Sequence, residues 1–554
     1  MKFRLIDAIA PFIQRPNGVV NYSKVNFTDL EEKGLLSEEG IAIIEKDFIR
    51  FIDNIQKEGY SDVIIDDLAH MISFEWYPSH LKVKLSIYKK LYDNIISYAL
   101  KKKIGVFVST DLLFSHSAIS RKYPHFEEKV RFLQLCVRTC LKQYPIKGIT
   151  FRFGESDGVD ITGDFVSQRI IRKPQQLAYV LKKVLPDFQN TQKLLIVRTW
   201  SFGSYKIGDV LWNKKTFYKC FGKRTHDNLI ISIKHGPADF FRNMPLNPTI
   251  TDTIHPKIVE MQARREHEGA GRFPSYNGAE LERLKKRFNQ SVIGFISWVQ
   301  MGGWVKTHRR TYLDESGFWN ELNSSAIMDI WHRGYSSKES IERFSTKKNI
   351  RNKQKFIQLV ESCEKIIDKA FYFHELEKDV YIKRLRIPPN IPLFWDTIVL
   401  NSVTKYLIRN LVKNQSFILS QKSEIQQLSN TIREVNKQVK VFPVDILYLL
   451  RTVDQLIEMR NFVFTQNYDT SVFVKKKFVD EYSLILEEKP RLLLRLSMVF
   501  IVKLLVRKKS QFRLIDRIIV NTLVLPIICR YFLSPKRIPN EMKNFGTDLR
   551  DFFL

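Results

Sequence analysis

Eight short apolar runs, each followed by a polar loop and a longer segment of helical period, constrain this chain more than any other feature. They are FRLIDAI, DVIIDDL, IGVFVST, GITFRFGE, LLIVRTW, LIISIKHG, KIVEMQA and VIGFISW, and all lie before about residue 345. Runs of Val, Ile and Phe alternating with amphipathic segments are the rhythm of βα units. Eight units predict an α/β fold, a (β/α)8 barrel over residues 1–345. An open doubly wound sheet would carry a nucleotide-type glycine turn after an early strand. The glycine-bearing pieces GESDG, EGAGRFP and MGGW follow late strands and lack that spacing.

After the charge-rich break KKNIRNKQK the character changes. ESCEKIIDKAFYFHELEKDVYIKRL, LFWDTIVLNSVTKYLIRNLVKN and SEIQQLSNTIREVNKQVK carry amphipathic spacing, with RIPPNIP as punctuation. Residues 346–554 are therefore expected to form a basic, mostly α-helical domain packed on the barrel. The segment from Arg491 to Lys509 is densely apolar but interrupted by Arg495 and Lys503, and Pro526 interrupts IIVNTLVLPIICRYFL. Neither offers the roughly 20 uncharged residues of a spanning helix, so each is expected either to pack in the helical domain or to lie on an anionic membrane surface.

A chain of 554 residues with a formal charge of +30 favours an anionic partner. Nucleic acid has only that charge in its favour, since zinc-finger spacing, an RNA-recognition aromatic signature and a base-reading basic helix are all missing from the sequence. Five cysteines, an odd number, argue against a disulfide-stapled secreted domain, and Cys136 and Cys140, four apart, suit one buried helical face better than a metal site. MKFRLIDAIAPFIQRP is broken by Arg4 and Asp7 and does not read as a secretion signal. The expected location is cytoplasmic, with the inner membrane face as an alternative. No metal or organic cofactor is indicated: Asp66, Asp67 and Asp111 come from different strands and suit capping and ion pairing better than a hard cation.

A barrel places its chemistry in the loops after the strands. Those strand ends offer Asp7, Asp66, Asp67, Thr110, Asp111, Arg152, Glu155, Arg198, Trp200, His235, Asp239, Arg264, Glu266, Trp298 and Gln300. Carboxylates across a cleft are what glycoside hydrolysis needs, one protonated for the leaving oxygen and one ionised to activate water. Glu155, Asp239 and Glu266 are the candidates for that work. Trp200, Tyr276, Trp298 and Trp304 are candidate sugar platforms, Trp298 the weakest and Trp304 the strongest.

LIISIKHGPADFFRNMPLNP followed by HPKIVEMQARREHEGAGRFP resembles the catalytic region of the family 67 α-glucuronidases, barrel enzymes that release glucuronic acid from xylan fragments by inversion. The family's K-N-G-P-x-D-F motif appears as Lys234, His235, Gly236, Pro237, Asp239 and Phe240, and its E-x-Q-x-x-x-E-Y motif as Glu260, Gln262, Glu266 and His267. GITFRFGESDG and LLIVRTW are similar to the strands that carry the general acid and a carboxylate-binding arginine. NELNSSAIMDIWHRGYSSKESIERF is similar to the segment leading into the family's helical domain.

The resemblance implies Glu155 as general acid, with Asp157 in the same GESDG piece as the alternative, and Asp239 and Glu266 on the water side. Arg152 and Arg198 would clamp a uronic-acid carboxylate, with His235, Arg265 and Arg264 adding positive potential. The partner implied is an acidic oligosaccharide or polysaccharide. Departures from the family include H-G-P for N-G-P, E-H for E-Y, and a first barrel strand almost at Met1 where the family has a β-rich domain. The competing reading is a catalytically silent barrel that binds anionic polysaccharide, in cell-envelope polysaccharide synthesis for example. A homodimer through the helical domain stays open.

Overall fold

The computed structural model describes residues 1–13, 24–25, 27–153, 163–167, 170–200, 205–237, 239–242, 244–265, 268–299, 309–372, 393–394, 397–401, 409, 415–465 and 483–487. All eight apolar runs form strands: β1 (Phe3–Asp7), β2 (Asp62–Ile65), β3 (Gly105–Asp111), β4 (Gly148–Arg152), β5 (Leu194–Arg198), β6 (Leu229–Lys234), β7 (Lys257–Gln262) and β8 (Val292–Trp298). They pair in parallel, each with its sequence neighbours, and β8 closes on β1. The chain is a (β/α)8 barrel with a helical C-terminal region.

The helices after successive strands are α1 (Glu38–Glu58), α2 (Ser79–Lys101), α3 (Phe126–Gln143), α4 (Pro174–Thr191), α5 (Lys214–Phe221), α6 (Pro248–Asp252), α7 (Gly278–Lys285) and α8 (Phe318–Ile327). Local signals set their ends. In α1 the Ser37 hydroxyl accepts from Gly40 N–H and Gly59 ends the helix at φ 99°, a conformation glycine adopts without Cβ strain. Cys136 and Cys140 are buried in α3, where burial raises both thiol pKa values, Cys140 to about 12, as packing residues require.

Side chains alternate across each strand, and the alternation divides the core in two. One set, including Val63, Val106, Phe151, Val197, Ile231, Val259 and Phe295, packs outward in the large core with the helices. The other, Phe3, Leu5, Ile64, Phe107, Ile196, Ile230, Ile258 and Ile296, fills the barrel. Continued toward the strands' C-terminal ends, the inward positions become Asp7, Asp66, Asp111, Arg152, Arg198, Lys234, Glu260 and Trp298, all buried. The barrel is thus an apolar column topped by a charged layer.

Beyond the barrel come α9 (Ser337–Lys347), α10 (Lys353–Phe371), α11 (Gln415–Val439) and α12 (Pro443–Phe464). One departure from the helical expectation lies in LFWDTIVLNSVTKYL. There Leu393–Phe394 and Thr397–Asn401 pair as antiparallel strands, and Ser483–Glu487 adds in parallel. The β-branched run Thr397, Ile398, Val399 favours a strand over a helix, and apolar spacing alone did not reveal it. No helix among the described residues is long and apolar enough to cross a membrane. The segments Arg491–Lys509 and 518–533 lie outside the described residues.

Candidate active site at the barrel mouth

Strand register assembles the charged layer. Asp111 pairs with Arg152 across β3 and β4, and Lys234 with Glu260 across β6 and β7, so opposite charges are immediate neighbours. Arg152 Nε donates to Asp111 Oδ1 at 3.0 Å, and its Nη1 to Asp66 Oδ1 at 3.1 Å. Asp66 also accepts from Ser109 Oγ and, at 2.8 Å, from Val25 N–H. Asp111 takes the ammonium of Lys24 and the hydroxyl of Ser167, which bring in the loops after β1 and β4. Burial alone would raise the Asp111 pKa, but the charges of Lys24 and Arg152 overcome it and hold the carboxyl below its usual range.

On the opposite side Arg198 grips Glu260 bidentately, Nε to Oε1 at 3.1 Å and Nη2 to Oε2 at 3.0 Å. Ser232 Oγ and the Trp298 indole N–H also donate to Glu260, at 2.7 and 2.9 Å. The Arg198 guanidinium lies 4.4 Å from the Trp298 ring centre. Burial opposes the charge on Glu260; Arg198, then Lys234 and Ser232, outweigh it and lower its pKa. Glu260 is therefore an anion that orients its neighbours, ill suited to donate a proton. Lys234 Nζ sits 3.4 Å from the Trp200 ring centre and 4.6 Å from that of Phe240, and donates to Asp239 Oδ1 at 2.7 Å. With a side chain 32 % exposed, Asp239 is far more open than Asp66, Asp111 or Glu260, at 4, 7 and 0 %.

The structure thus brings Arg152, Arg198, Trp200 and Asp239 to the mouth. His235 follows β6 and is buried in a stack on Phe240, ring centres 5.8 Å apart. Neither of its ring nitrogens has a hydrogen-bond partner among the described residues, and burial pushes its pKa down to about 4.

Arg265 has a different setting. It joins Glu280 at 3.3 Å and Glu364 of α10 at 3.0 Å, while Arg242 grips Glu268 at 2.8 and 2.9 Å and also reaches Glu364. Tyr372 closes the cluster by donating to Glu268. This network ties the loops after β6 and β7 to the C-terminal helices. Arg264, buried, donates to the Arg265 carbonyl at 3.1 Å. Tyr276 is buried with its hydroxyl on Ser337 O at 2.7 Å, which removes it as a sugar platform. Glu155, Asp157, Glu266, His267, Gln300 and Trp304 lie outside the described residues.

The sequence motifs include Glu260 and Lys234 without giving either a role, and Lys24 was passed over. For Glu260 a signal existed: it shares the inward parity of Ile258, so an acid there had to sit in the barrel. Lys24 had none, because its partner Asp111 is brought to it only by the closed barrel.

These features define a (β/α)8-barrel protein with an ion-paired mouth. No family model matches the chain, and no curated protein matches it. Among solved structures the chain is similar to a GH138 enzyme targeting pectin rhamnogalacturonan II, with TM-score 0.50 and 12% identity over 83% of this chain. The match spans 57% of that protein's length. A mutant O-GlcNAc hydrolase of Thermobaculum terrenum aligns over 91% of both chains with TM-score 0.36 and 11% identity. At 12% identity the likeness to the GH138 enzyme is one of fold.

Proposed function

We propose that the chain is a glycoside hydrolase that releases an α-linked uronic acid, or a related acidic sugar, from a glycan with inversion. The observation that carries this reading is Asp239: a half-open carboxylate at the C-terminal mouth of a barrel, held by a lysine that two aromatic rings flank. An anion fixed in that way suits the removal of a proton from water. Glu155 is the proposed general acid and Glu266 the second group on the water side. Arg152 and Arg198 lend positive potential toward the sugar carboxylate while holding Asp66, Asp111 and Glu260. Trp200 and Trp304 complete the proposed binding surface, while His235, buried on Phe240, and Arg265, paired with Glu280 and Glu364, support the loops behind it.

The resemblance to α-glucuronidases supports the uronic acid, and the pectin-directed GH138 neighbour adds pectic fragments to the substrates worth testing. The test is to incubate the protein with uronic-acid and pectic oligosaccharides and follow the released anomer by NMR. Wild type should release the inverted anomer, and Asp239→Ala and Glu266→Ala should each lower turnover by about 10²- to 10⁴-fold. The engagement of Arg152 and Arg198 by protein carboxylates favours the second reading, a silent barrel that binds anionic polysaccharide. Binding of these glycans without turnover would establish it.

A further inference from the structure

We propose that His80, His116 and Asp164 form a binding site for a divalent transition-metal ion of the zinc type, on the rim beside the barrel mouth. One ligand atom from each residue lies within 4.8 Å of the others. The fold brings them together by three routes. His80 sits in the first turn of α2, His116 follows a short strand after β3, and Asp164 precedes a short strand in the loop after β4. Those two strands pair antiparallel, Phe114 with Ser167 and Ser115 with Val166, which sets His116 next to Phe165 and Asp164. Phe165 is buried, packed edge-on against Phe114 and His70, so the ladder has a firm apolar base. His80 Nε2 stands 4.0 Å from Asp164 Oδ1, and the two imidazole centres are 6.5 Å apart.

Two imidazoles and a carboxylate leave one position of a tetrahedral shell for water, a common zinc arrangement. Zinc bonds of about 2.0 Å place ligand atoms roughly 3.3 Å apart, so the three groups need to close by up to about 1.5 Å. The His80 side chain, 65% exposed, is free to make that movement. Cysteine is not involved, which selects borderline metals over soft ones.

Two interactions hold the metal-free site in place of the ion. His116 Nδ1 accepts from Ala118 N–H at 3.1 Å, capping a short helix, so the ring's one lone pair is engaged and the metal must displace that bond. The Lys84 ammonium bridges Asp164 and Glu31, the latter at 2.6 Å. Lys84 acts as a place-holding cation, and the metal must compete with it for Asp164. Once bound, the ion would fasten the loop after β4 beside Ser167, the residue that donates to Asp111 in the mouth. The site stands apart from the proposed hydrolysis and does not depend on it.

The test is calorimetric titration of chelator-treated full-length protein with Zn²⁺, repeated with Co²⁺ while visible absorption is recorded. Wild type should take up one equivalent with the intense bands of four-coordinate cobalt. His80→Ala, at an exposed position, should weaken binding at least about tenfold, and Lys84→Met should tighten it, a gain no misfolded variant produces. The proposal is overturned if wild type takes up neither ion, or if His80→Ala binds as tightly as wild type.

Discussion

Glu260 shows how much one residue decides here. It is fully buried and accepts from Arg198, Ser232 and Trp298. Glu260→Gln keeps the shape but strands the charge of Arg198, and breaking a buried pair in this way costs about 3 kcal/mol or more. Urea unfolding at neutral pH should show that loss. Because its folded pKa is depressed, Glu260 contributes stability that is complete above the ordinary value of 4.5 and disappears as pH falls through the lower folded value. His235 works on a different range. Its unfolded form gains a proton as pH falls below 6.5, whereas the buried ring resists until about 4. Stability should therefore fall between those values by on the order of 3 kcal/mol. His235→Phe, which preserves the stack on Phe240, should flatten that part of the pH–stability curve above the carboxylate range. An unchanged slope would mean that the imidazole takes up its proton within the fold.

At the scale of elements, the strands pack too closely to admit a side chain at their tightest crossing. A Cβ on Gly148 would stand 1.9 Å from the Leu194 carbonyl oxygen and 3.0 Å from the Phe107 ring. Gly148→Ala should therefore force β4 and β5 apart at the foot of the barrel, costing about 3 kcal/mol, and thermal unfolding would register it. The clamp between the loops after β6 and β7 and helix α10 makes a second case. Glu364 balances both Arg242 and Arg265, and its folded pKa is lowered by those two guanidinium groups against burial. Glu364→Ala should destabilise by about 3 kcal/mol, with hydrogen exchange rising first in the loops after β6 and β7. The strands were legible because each is buried on both faces and so reads as an unbroken apolar run. The setting of Arg265 was not. Its nearest sequence neighbours suggested a rim loop facing a substrate, but the partner that fixes it, Glu364, lies on a helix almost a hundred residues later. Parity along β7 exposes Glu260, whereas no local pattern exposes a pairing made by tertiary closure.

For the molecule as a whole, the question is what a formal charge of +30 does when the mouth itself is internally paired. Arg152, Arg198, Lys24 and Lys234 each face a protein carboxylate, so their fields largely cancel a short distance away. The uncompensated charge must then act at long range, where it would steer the proposed anionic glycan and speed encounter more than strengthen the final contacts. Salt separates the two effects, because exposed charges more than about 10 Å apart are screened at 0.1 M while buried pairs are not. Raising salt from about 50 to about 300 mM should thus slow association of Asp239→Ala with a polygalacturonate by around tenfold and leave its dissociation rate nearly unchanged. A neutral xylan oligosaccharide should show no such dependence. If the polyanion instead dissociates faster in salt at a constant association rate, the charges touch the glycan directly, and recognition lies in surface contacts outside the paired mouth.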